Sequence, residues 1–478
     1  MDRKRTSNAV QRKKSCLRSD ASDVDRFEKL RDLIMNIVSF LTVSDMINVC
    51  CVYPGWMGQW VRTTQSLNLP IPQKTKFKVA RDFRNYWKIY ESEILEHTQR
   101  VDHSLKSHQA LHLDELKIGA YRDTCELSQV HSWIKFAIQK GVKTFELVFN
   151  TAGRVPMSRC SFLKVEDFAN LLDGSERHLH HPSRAIPEKH QLRSFCCLQS
   201  ISLGFFDVSD EIIGYFLKNC MFLEFLRVEF SDTLLSLEVV DGVRLKCLEI
   251  IRCLNFRSLK ISSRNLVSLV YIGPNIDVPF KGVSCNSLEL TIGDQYGESF
   301  ALEQSKHATY LSMLETVNYA VSCKVHVLLC RAPFKIAEMK NLKHLALKVP
   351  IGKSLMGYTT FFIAAPRLVT FKMEYSLRRS FEETEEEFRR REEVDKLHET
   401  SRAPHQHLQM VELIGFHNQL PDIRFATHLI KMAVDLKKMV LRFRHHSGHA
   451  KAMSHVNEVL REEMPPGVEL VMSKTTGV

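Results

Sequence analysis

A spaced pattern of apolar residues recurs along most of this 478-residue chain and constrains its fold more than any other feature. Each copy places apolar residues at positions 1, 4 and 6, as in Leu198, Ile201 and Leu203. The other copies begin at residues 113, 142, 223, 245, 266, 314, 342, 368, 408 and 436. Because side chains alternate across a strand, positions 4 and 6 predict a short strand with one buried face. Around residues 275–300 the pattern is ambiguous, since Leu288-Leu290-Ile292 fits two registers.

Most intervals between copies are 21 to 28 residues, as from 198 to 223, 245 and 266, or from 314 to 342 and 368. One such unit cannot bury its apolar face, so neighbouring units must stack. This period and spacing are typical of leucine-rich repeats. We therefore predict an α/β fold with an irregular leucine-rich-repeat solenoid and a curved parallel sheet over residues 111–404. An unrelated α/β domain with leucine-rich strands is the alternative, and the number of copies weighs against it.

Two segments interrupt or close this array. Residues 378–401 carry dense mixed charge, which predicts a solvated helix or a disordered insertion. Residues 405–478 are predicted to form the terminal repeats, with a strand, a helix over 423–434 and a second strand in a crossover. The outward-facing strand residues, such as Ser202, Arg227 and Ala346, would form a surface for a partner.

A small helical domain is predicted to precede the repeats, over residues 24–69. Its first helix carries a broad apolar stripe, formed by Leu33, Ile34, Ile37, Val38 and Leu41. A second helix contains Val49, and the tryptophans Trp56 and Trp60, four residues apart, can cover the junction. A unit of this size gains stability by packing on a partner or on the next domain. Residues 70–110 are predicted to be a helical linker.

The N-terminal tract resembles the F-box that opens many plant F-box/leucine-rich-repeat proteins. The matching residues are Asp25-Arg26-Phe27, Leu30, Ile37-Val38-Ser39-Phe40-Leu41, Asp45, Val49, Trp56 and Trp60. The stretch 407–439 resembles the FBD-type segment that closes such proteins. The resemblance implies a substrate-recognition subunit of an SCF-type cullin-RING E3 ubiquitin ligase. In such a subunit the F-box docks a Skp-type adaptor, and through it a cullin, while the repeats bind an unidentified client protein.

The resemblance also implies which residues contact the adaptor. They are Leu33, Ile34, Ile37, Val38, Leu41, Val49, Trp56 and Trp60. The tract departs from the F-box pattern at Leu30-Arg31-Asp32, at Thr42 and at Pro54-Gly55, where prolines or basic residues are usual. A second interpretation therefore stays open, in which the chain is a leucine-rich-repeat protein-binding scaffold with a degenerate F-box that does not dock.

The first 22 residues are predicted to be a disordered basic tail. Two clusters, Arg3-Lys4-Arg5 and Arg12-Lys13-Lys14, fit either a bipartite nuclear import signal or a solvated tail. We therefore expect the protein in the nucleus, the cytoplasm or both. Residues 1–20 hold seven basic residues against two acidic ones, a large part of the net charge of +11. Since this charge lies on a tail and not in a folded groove, it weighs against nucleic acid as a partner.

No motif in the sequence predicts catalysis, a cofactor or a metal. Thirteen cysteines are scattered without a CxxC pair, which favours buried thiols in a reducing compartment. The histidines near Cys196-Cys197 lie in a polar, proline-containing stretch and are interpreted as loop residues. Glycine-rich phosphate loops and the common hydrolase motifs are missing. No apolar run reaches the roughly 20 residues that a membrane-spanning helix needs.

Overall fold

The computed structural model describes most of the repeat array and part of the N-terminal tract. The described residues are 45–46, 49, 56–71, 83–121, 125–150, 197–205, 207–274, 276, 288–293, 314–320, 338–350, 354–376, 385–400, 404–417, 419–444 and 449–474. They belong to two compact units, which fall within Met1–Ala152 and Cys196–Val478.

The first unit alternates helices and strands. Its elements are α1 (Trp56–Thr63), β1 (Ser66–Leu69), α2 (Phe83–Ser107), β2 (Glu115–Tyr121), α3 (Leu127–Lys140) and β3 (Thr144–Asn150). The three strands pair in parallel in the order β1-β2-β3. Helix α3 ends because Gly141 adopts a left-handed conformation, with φ of +65°, and its N–H bonds back to the last turn. Asp102 of α2 anchors α3 by accepting hydrogen bonds from Trp133 Nε1 (2.7 Å) and Gln129 Nε2 (2.9 Å).

The second unit contains thirteen described strands and five described helices. The strands are β4 (Ser200–Gly204), β5 (Phe225–Glu229), β6 (Ser236–Val239), β7 (Cys247–Ile251), β8 (Ser258–Ile261), β9 (Ser268–Ile272), β10 (Glu289–Gly293), β11 (Thr316–Ala320), β12 (His344–Pro350), β13 (Thr370–Ser376), β14 (Met410–Phe416), β15 (Lys438–Phe443) and β16 (Glu469–Lys474). The helices are α4 (Asp210–Asn219), α5 (Thr360–Ala364), α6 (Glu385–Thr400), α7 (Leu420–Met432) and α8 (His449–Glu463).

Eleven of these strands form one parallel sheet, in the order β4-β5-β7-β9-β10-β11-β12-β13-β14-β15-β16. The remaining two, β6 and β8, pair in parallel as a separate two-stranded sheet. Positions 4 and 6 of the repeat are the buried strand residues, for example Leu226 and Val228, which are both fully buried. The predicted α/β leucine-rich-repeat fold is therefore confirmed.

The pairing of β10 resolves the register that the sequence left ambiguous. Leu290 pairs with Leu269, and Ile292 pairs with Tyr271, so these two residues occupy positions 4 and 6 of their repeat. Leu288 is buried as well, but it lies one residue past the usual first position. The backbone pairing of β10 with β9 therefore fixes the register of this repeat.

Helix α6 lies inside the charged segment 378–401, and the structure buries one of its faces. Arg391, Asp395 and His398 are each at most 8% exposed, although the neighbouring glutamates and arginines are solvated. Asp395 accepts a hydrogen bond from Ser354 Oγ at 2.5 Å, and His398 Nδ1 lies 3.1 Å from Thr359 Oγ1. The helix is thus packed through polar contacts. Its sequence does not reveal them, because the buried charged residues resemble the solvated ones beside them.

Candidate protein-binding surface

The sheet of the second unit has one face that the core does not cover. We call this the open face; it consists of the strand residues that alternate with the buried positions. Its central row, in register across the sheet, is Ser202, Arg227, Glu249, Val270, Thr291, Asn318, Ala346, Lys372, Glu412, Val440 and Val471. All of these except Val440 are half-exposed or exposed. The outward orientation predicted for Ser202, Arg227 and Ala346 is confirmed.

A charged cluster occupies the open face on β5 and β7. Arg227 contacts Glu229 at 2.6 Å and Glu249 at 3.3 Å, and all three side chains are half-buried. One guanidinium therefore serves two carboxylates, leaving an excess of one negative charge. Partly desolvated pairs of this kind orient a partner and select against wrong charges more than they add affinity.

An apolar patch adjoins this cluster on β7 and β9. Ile251 pairs with Ile272, and Glu249 pairs with Val270, so the three aliphatic side chains are neighbours on the open face. Cys247 lies in the same strand, and burial raises the pKa of its thiol. A thiol that stays protonated near neutral pH behaves as a small apolar contact and not as a nucleophile.

A ladder of stacked side chains lies where β4, β5 and β7 end. The Phe205 and Phe230 rings stack with centroids 4.1 Å apart, and the Arg252 guanidinium lies 5.1 Å from the centroid of the Phe230 ring. All three residues have left-handed backbones, with φ of 54°, 55° and 56°. That conformation is an outlier for bulky residues and persists only where the surroundings impose it. Here the Phe205 N–H bonds to the Glu229 carbonyl at 2.7 Å and the Phe230 N–H to the Ile251 carbonyl at 2.9 Å.

The open face becomes more polar towards its C-terminal strands. Glu412 of β14 lies 2.7 Å from Arg442 and 3.8 Å from Lys372, one strand to either side. Lys438 and Glu469 form a further cross-strand pair at 3.0 Å. The candidate surface therefore has an apolar and aromatic part beside a charged cluster on β5 to β9, and cross-strand ion pairs on β13 to β16.

Sequence reasoning missed the ladder, although a signal for it was present. Phe205, Phe230 and Arg252 each stand two residues after position 6 of their copies, at Leu203, Val228 and Ile250. The repeat template assigns no special conformation to that position. Only the backbone angles reveal that the three residues share one role.

Three of the predicted adaptor-contacting residues fall within the described residues. Trp56 belongs to α1, and Val49 is half-buried. Trp60 is 5% exposed, so its ring packs inside the unit. The others, Leu33, Ile34, Ile37, Val38 and Leu41, lie outside the described residues, as do Arg3, Lys4, Arg5, Arg12, Lys13 and Lys14. Adaptor contact and nuclear import therefore stay predictions.

Within the described ranges, no group of three or more histidine, cysteine, aspartate or glutamate side chains could hold a metal ion. No described helix is long and apolar enough to cross a membrane.

A stack of parallel strands with an open face defines a leucine-rich-repeat scaffold that binds proteins. Residues 104–464, most of the chain, match the family described as At1g61320/AtMIF1, LRR domain. The chain belongs to this family of plant leucine-rich-repeat domains. Among curated proteins, none matches the chain.

Proposed function

We propose that this protein is the substrate-recognition subunit of an SCF-type cullin-RING E3 ubiquitin ligase. The observation that carries the proposal is the order of two elements along one chain. A tract with F-box spacing, from Asp25 to Trp60, lies N-terminal to the region that matches the leucine-rich-repeat family. The FBD-like stretch after residue 405 adds a second resemblance to the same class of protein. In this role the chain carries out no chemistry itself and holds a client near ubiquitin transfer by other subunits.

The attachment of α1 to the first strands supports this proposal. The Val61 carbonyl accepts a hydrogen bond from the Gln109 N–H at 2.9 Å, and Arg62 Nε donates to Gln109 Oε1 at 3.1 Å. The Gln65 carbonyl accepts the N–H groups of Asp114 (2.8 Å) and Glu115 (3.0 Å). An adaptor that contacts α1 would therefore be held next to the first strands.

The open face is the proposed client-binding surface. Its apolar patch and the adjacent aromatic-arginine ladder have the composition of interface hot spots, which favour aromatic residues and arginine surrounded by polar residues. The cluster of Arg227, Glu229 and Glu249 would then set the charge preference for the client.

Binding of the full-length chain to a plant Skp-type adaptor, measured by calorimetry, tests the proposal. We expect a Kd of about 1 μM or tighter. The double substitution Ile37→Asp with Val38→Asp should abolish binding, because it places charge on the predicted apolar docking stripe. Leu111→Asp, at a position that is 84% exposed, is the matched control and should leave binding unchanged.

Each other result has a definite meaning. A folded wild-type chain that does not bind the adaptor would support the alternative, a leucine-rich-repeat scaffold with a degenerate F-box. Binding that survives the double substitution, in a variant with unchanged circular dichroism, would contradict the docking stripe.

A further inference from the structure

A groove lies between α4 and the segment that follows β6, and it includes no residue of the open face. Its volume is about 590 Å³, within the range of ligand-binding clefts. Three apolar side chains on its walls remain unusually exposed: Met221 by 65%, Phe222 by 42% and Val240 by 48%. Neighbouring apolar side chains left in water on a folded protein mark an interaction site.

One residue in the wall of this groove, Gly214, is a glycine that no contact among the described residues requires. Gly214 lies in the interior of α4, where glycine costs about 1 kcal/mol relative to alanine. A Cβ added at this position would meet nothing within 4 Å, so no contact among the described residues requires the small residue. What glycine does provide is room for another backbone to approach closely. The helix thus gives up stability at the point where the groove is open.

Two cations line the same groove without acidic partners. Neither Lys218 nor Arg244 has a carboxylate within ion-pair distance among the described residues, and Arg244 instead lies 5.1 Å from the centroid of the Phe222 ring. Glu238 is the one acidic side chain in the lining. The groove therefore carries an excess of positive charge beside its apolar walls, which complements an acidic partner.

The structure also excludes one way of filling the groove. A strand could add to the free edge of β6 only if its backbone groups were available. The Asp210 carboxylate already accepts the N–H groups of Leu235 (2.6 Å) and Ser236 (3.0 Å) at the start of that strand. Side chains that cap the start of an edge in this way disfavour strand addition.

We propose that this groove binds an amphipathic helix of a protein partner. Apolar residues of that helix, spaced by three and four positions, would lie against Met221, Phe222 and Val240. Acidic residues beside the apolar stripe would pair with Lys218 and Arg244, and the helix backbone would pass close to Gly214. The site is separate from the open face, so the scaffold can hold two proteins at once.

A displayed library of helical peptides of about 18 residues, or five turns, tests the proposal on the full-length chain. We expect selection to enrich sequences with helically spaced apolar residues and flanking Asp or Glu. The best peptide is then measured by fluorescence anisotropy against wild type and variants. Gly214→Leu should weaken binding by at least about tenfold and raise thermal stability, since leucine fills the gap and favours the helix.

Two further variants control the result. Gly58→Leu makes the same substitution in α1, where an added Cβ also meets nothing within 4 Å, and should leave peptide affinity unchanged. Lys218→Glu with Arg244→Glu should reverse the preference, so that a lysine-flanked version of the peptide binds better. Selection without helical periodicity, or binding that Gly214→Leu does not change, would overturn the proposal. Sedimentation showing self-association that Gly214→Leu abolishes would assign the groove to a second copy of the chain and would also overturn it.

Discussion

The short-repeat region, from β4 to β9, and the helical region, from β12 to β16, build the same parallel sheet with different back layers. In the short-repeat region, strands start at residues 200, 225, 247 and 268, and the connections form α4, β6 and β8. In the helical region, strands start at residues 344, 370, 410, 438 and 469, and the connections form α5 to α8. The three longest intervals between strand starts, 370 to 410, 410 to 438 and 438 to 469, hold the longest helices of this unit, α6, α7 and α8.

The two back layers also differ in what they bury. Among the described residues, the helical region encloses six arginine, aspartate and histidine side chains: Arg391, Asp395, His398, His405, Asp422 and His428. In the short-repeat region the buried polar side chains are Asp207, Ser231 and Ser263. A helix supplies hydrogen-bonding partners to buried polar groups from its ends and its side chains, whereas a four-residue strand supplies few partners. We therefore expect pH to act mainly on the helical region.

The largest effect should come from emptying the aromatic core of the helical region. Phe425 of α7 is fully buried, and its ring centroid lies 6.4 Å from that of Phe371 in β13. Phe425→Ala should lower the free energy of unfolding by about 4 kcal/mol, because it leaves a cavity. Guanidinium denaturation measures the loss, and hydrogen exchange shows where it falls. Leu420→Ala, in the same helix but 62% exposed, should cost less than about 1 kcal/mol. Equal losses of unfolding free energy in the two variants would contradict the packing of Phe425 in this core.

The next effect concerns pH. Burial raises the pKa of Asp422 from 3.8 to about 6, although the carboxylate accepts the N–H groups of His417 and Gln419. Between these values the folded state keeps a proton that the unfolded state releases. Stability therefore falls as pH rises from about 4 to 6, and the full cost of about 3 kcal/mol persists above pH 6.

Asp422→Asn removes that cost and keeps the shape of the side chain. We expect it to raise the free energy of unfolding at pH 7 by about 2 kcal/mol, since its amide accepts the two hydrogen bonds more weakly than a carboxylate does. The pH dependence between 4 and 6 should flatten. Denaturation at several pH values measures both effects. A variant that is less stable at pH 7 would mean that the pKa of Asp422 is not raised and that its carboxylate stabilises the start of α7.

A smaller effect is expected from a buried serine of the short-repeat region. Ser231 is fully buried, and its hydroxyl accepts the Val208 N–H at 3.0 Å and donates to the Val208 carbonyl at 3.2 Å. Ser231→Ala should cost about 1.5 kcal/mol, because two buried backbone groups lose their partner. Ser236→Ala removes a hydrogen bond from an exposed hydroxyl to the Asp210 carboxylate and should cost less, about 0.5 kcal/mol. The cost of these two substitutions should not depend on pH, unlike the effect of Asp422→Asn. A pH-dependent loss would contradict the expectation that pH acts mainly on the helical region.

The smallest effect should come from the last residue of the ladder. Arg252→Asn exchanges a strained residue for one that tolerates the left-handed conformation, and it loses the contact with the Phe230 ring. The gain and the loss are each about 1 kcal/mol, so the free energy of unfolding should change by less than about 0.5 kcal/mol. Denaturation of the two chains under one condition measures the difference. A loss above about 1.5 kcal/mol would show that the stacking outweighs the strain.

The sheet could be predicted from the sequence because two positions per repeat decide it. Wherever positions 4 and 6 are apolar, as at Leu345 and Leu347, the structure contains a buried strand. The back layer was harder to predict. Strands β6 and β8 are only four residues long, and β1 stands inside a tract whose pattern is helical. Strands this short carry too few alternating residues to be told from loops.

The candidate surface could be predicted in part. Alternation identified the outward residues such as Arg227, because a strand gives side chains only two directions. It could not identify the ladder, which depends on a backbone conformation that phenylalanine and arginine rarely adopt. Nor could it identify the buried face of α6, where Arg391 and Asp395 look like their solvated neighbours until their partners in other repeats are known.

The turn after each short repeat has a consequence for how this region can change in length. The Phe205 N–H bonds to the end of β5, and the Phe230 N–H bonds to the end of β7, so each turn closes on the strand of the next repeat. Each of these turns donates its N–H to a backbone carbonyl of the next repeat, so the bond does not depend on the side chains of that repeat. Removing one whole unit, such as residues 225–246, would bring Phe205 against the end of β7 and restore the bond. Genetic gain or loss of entire units is therefore compatible with this architecture, whereas a shift of a single residue breaks it.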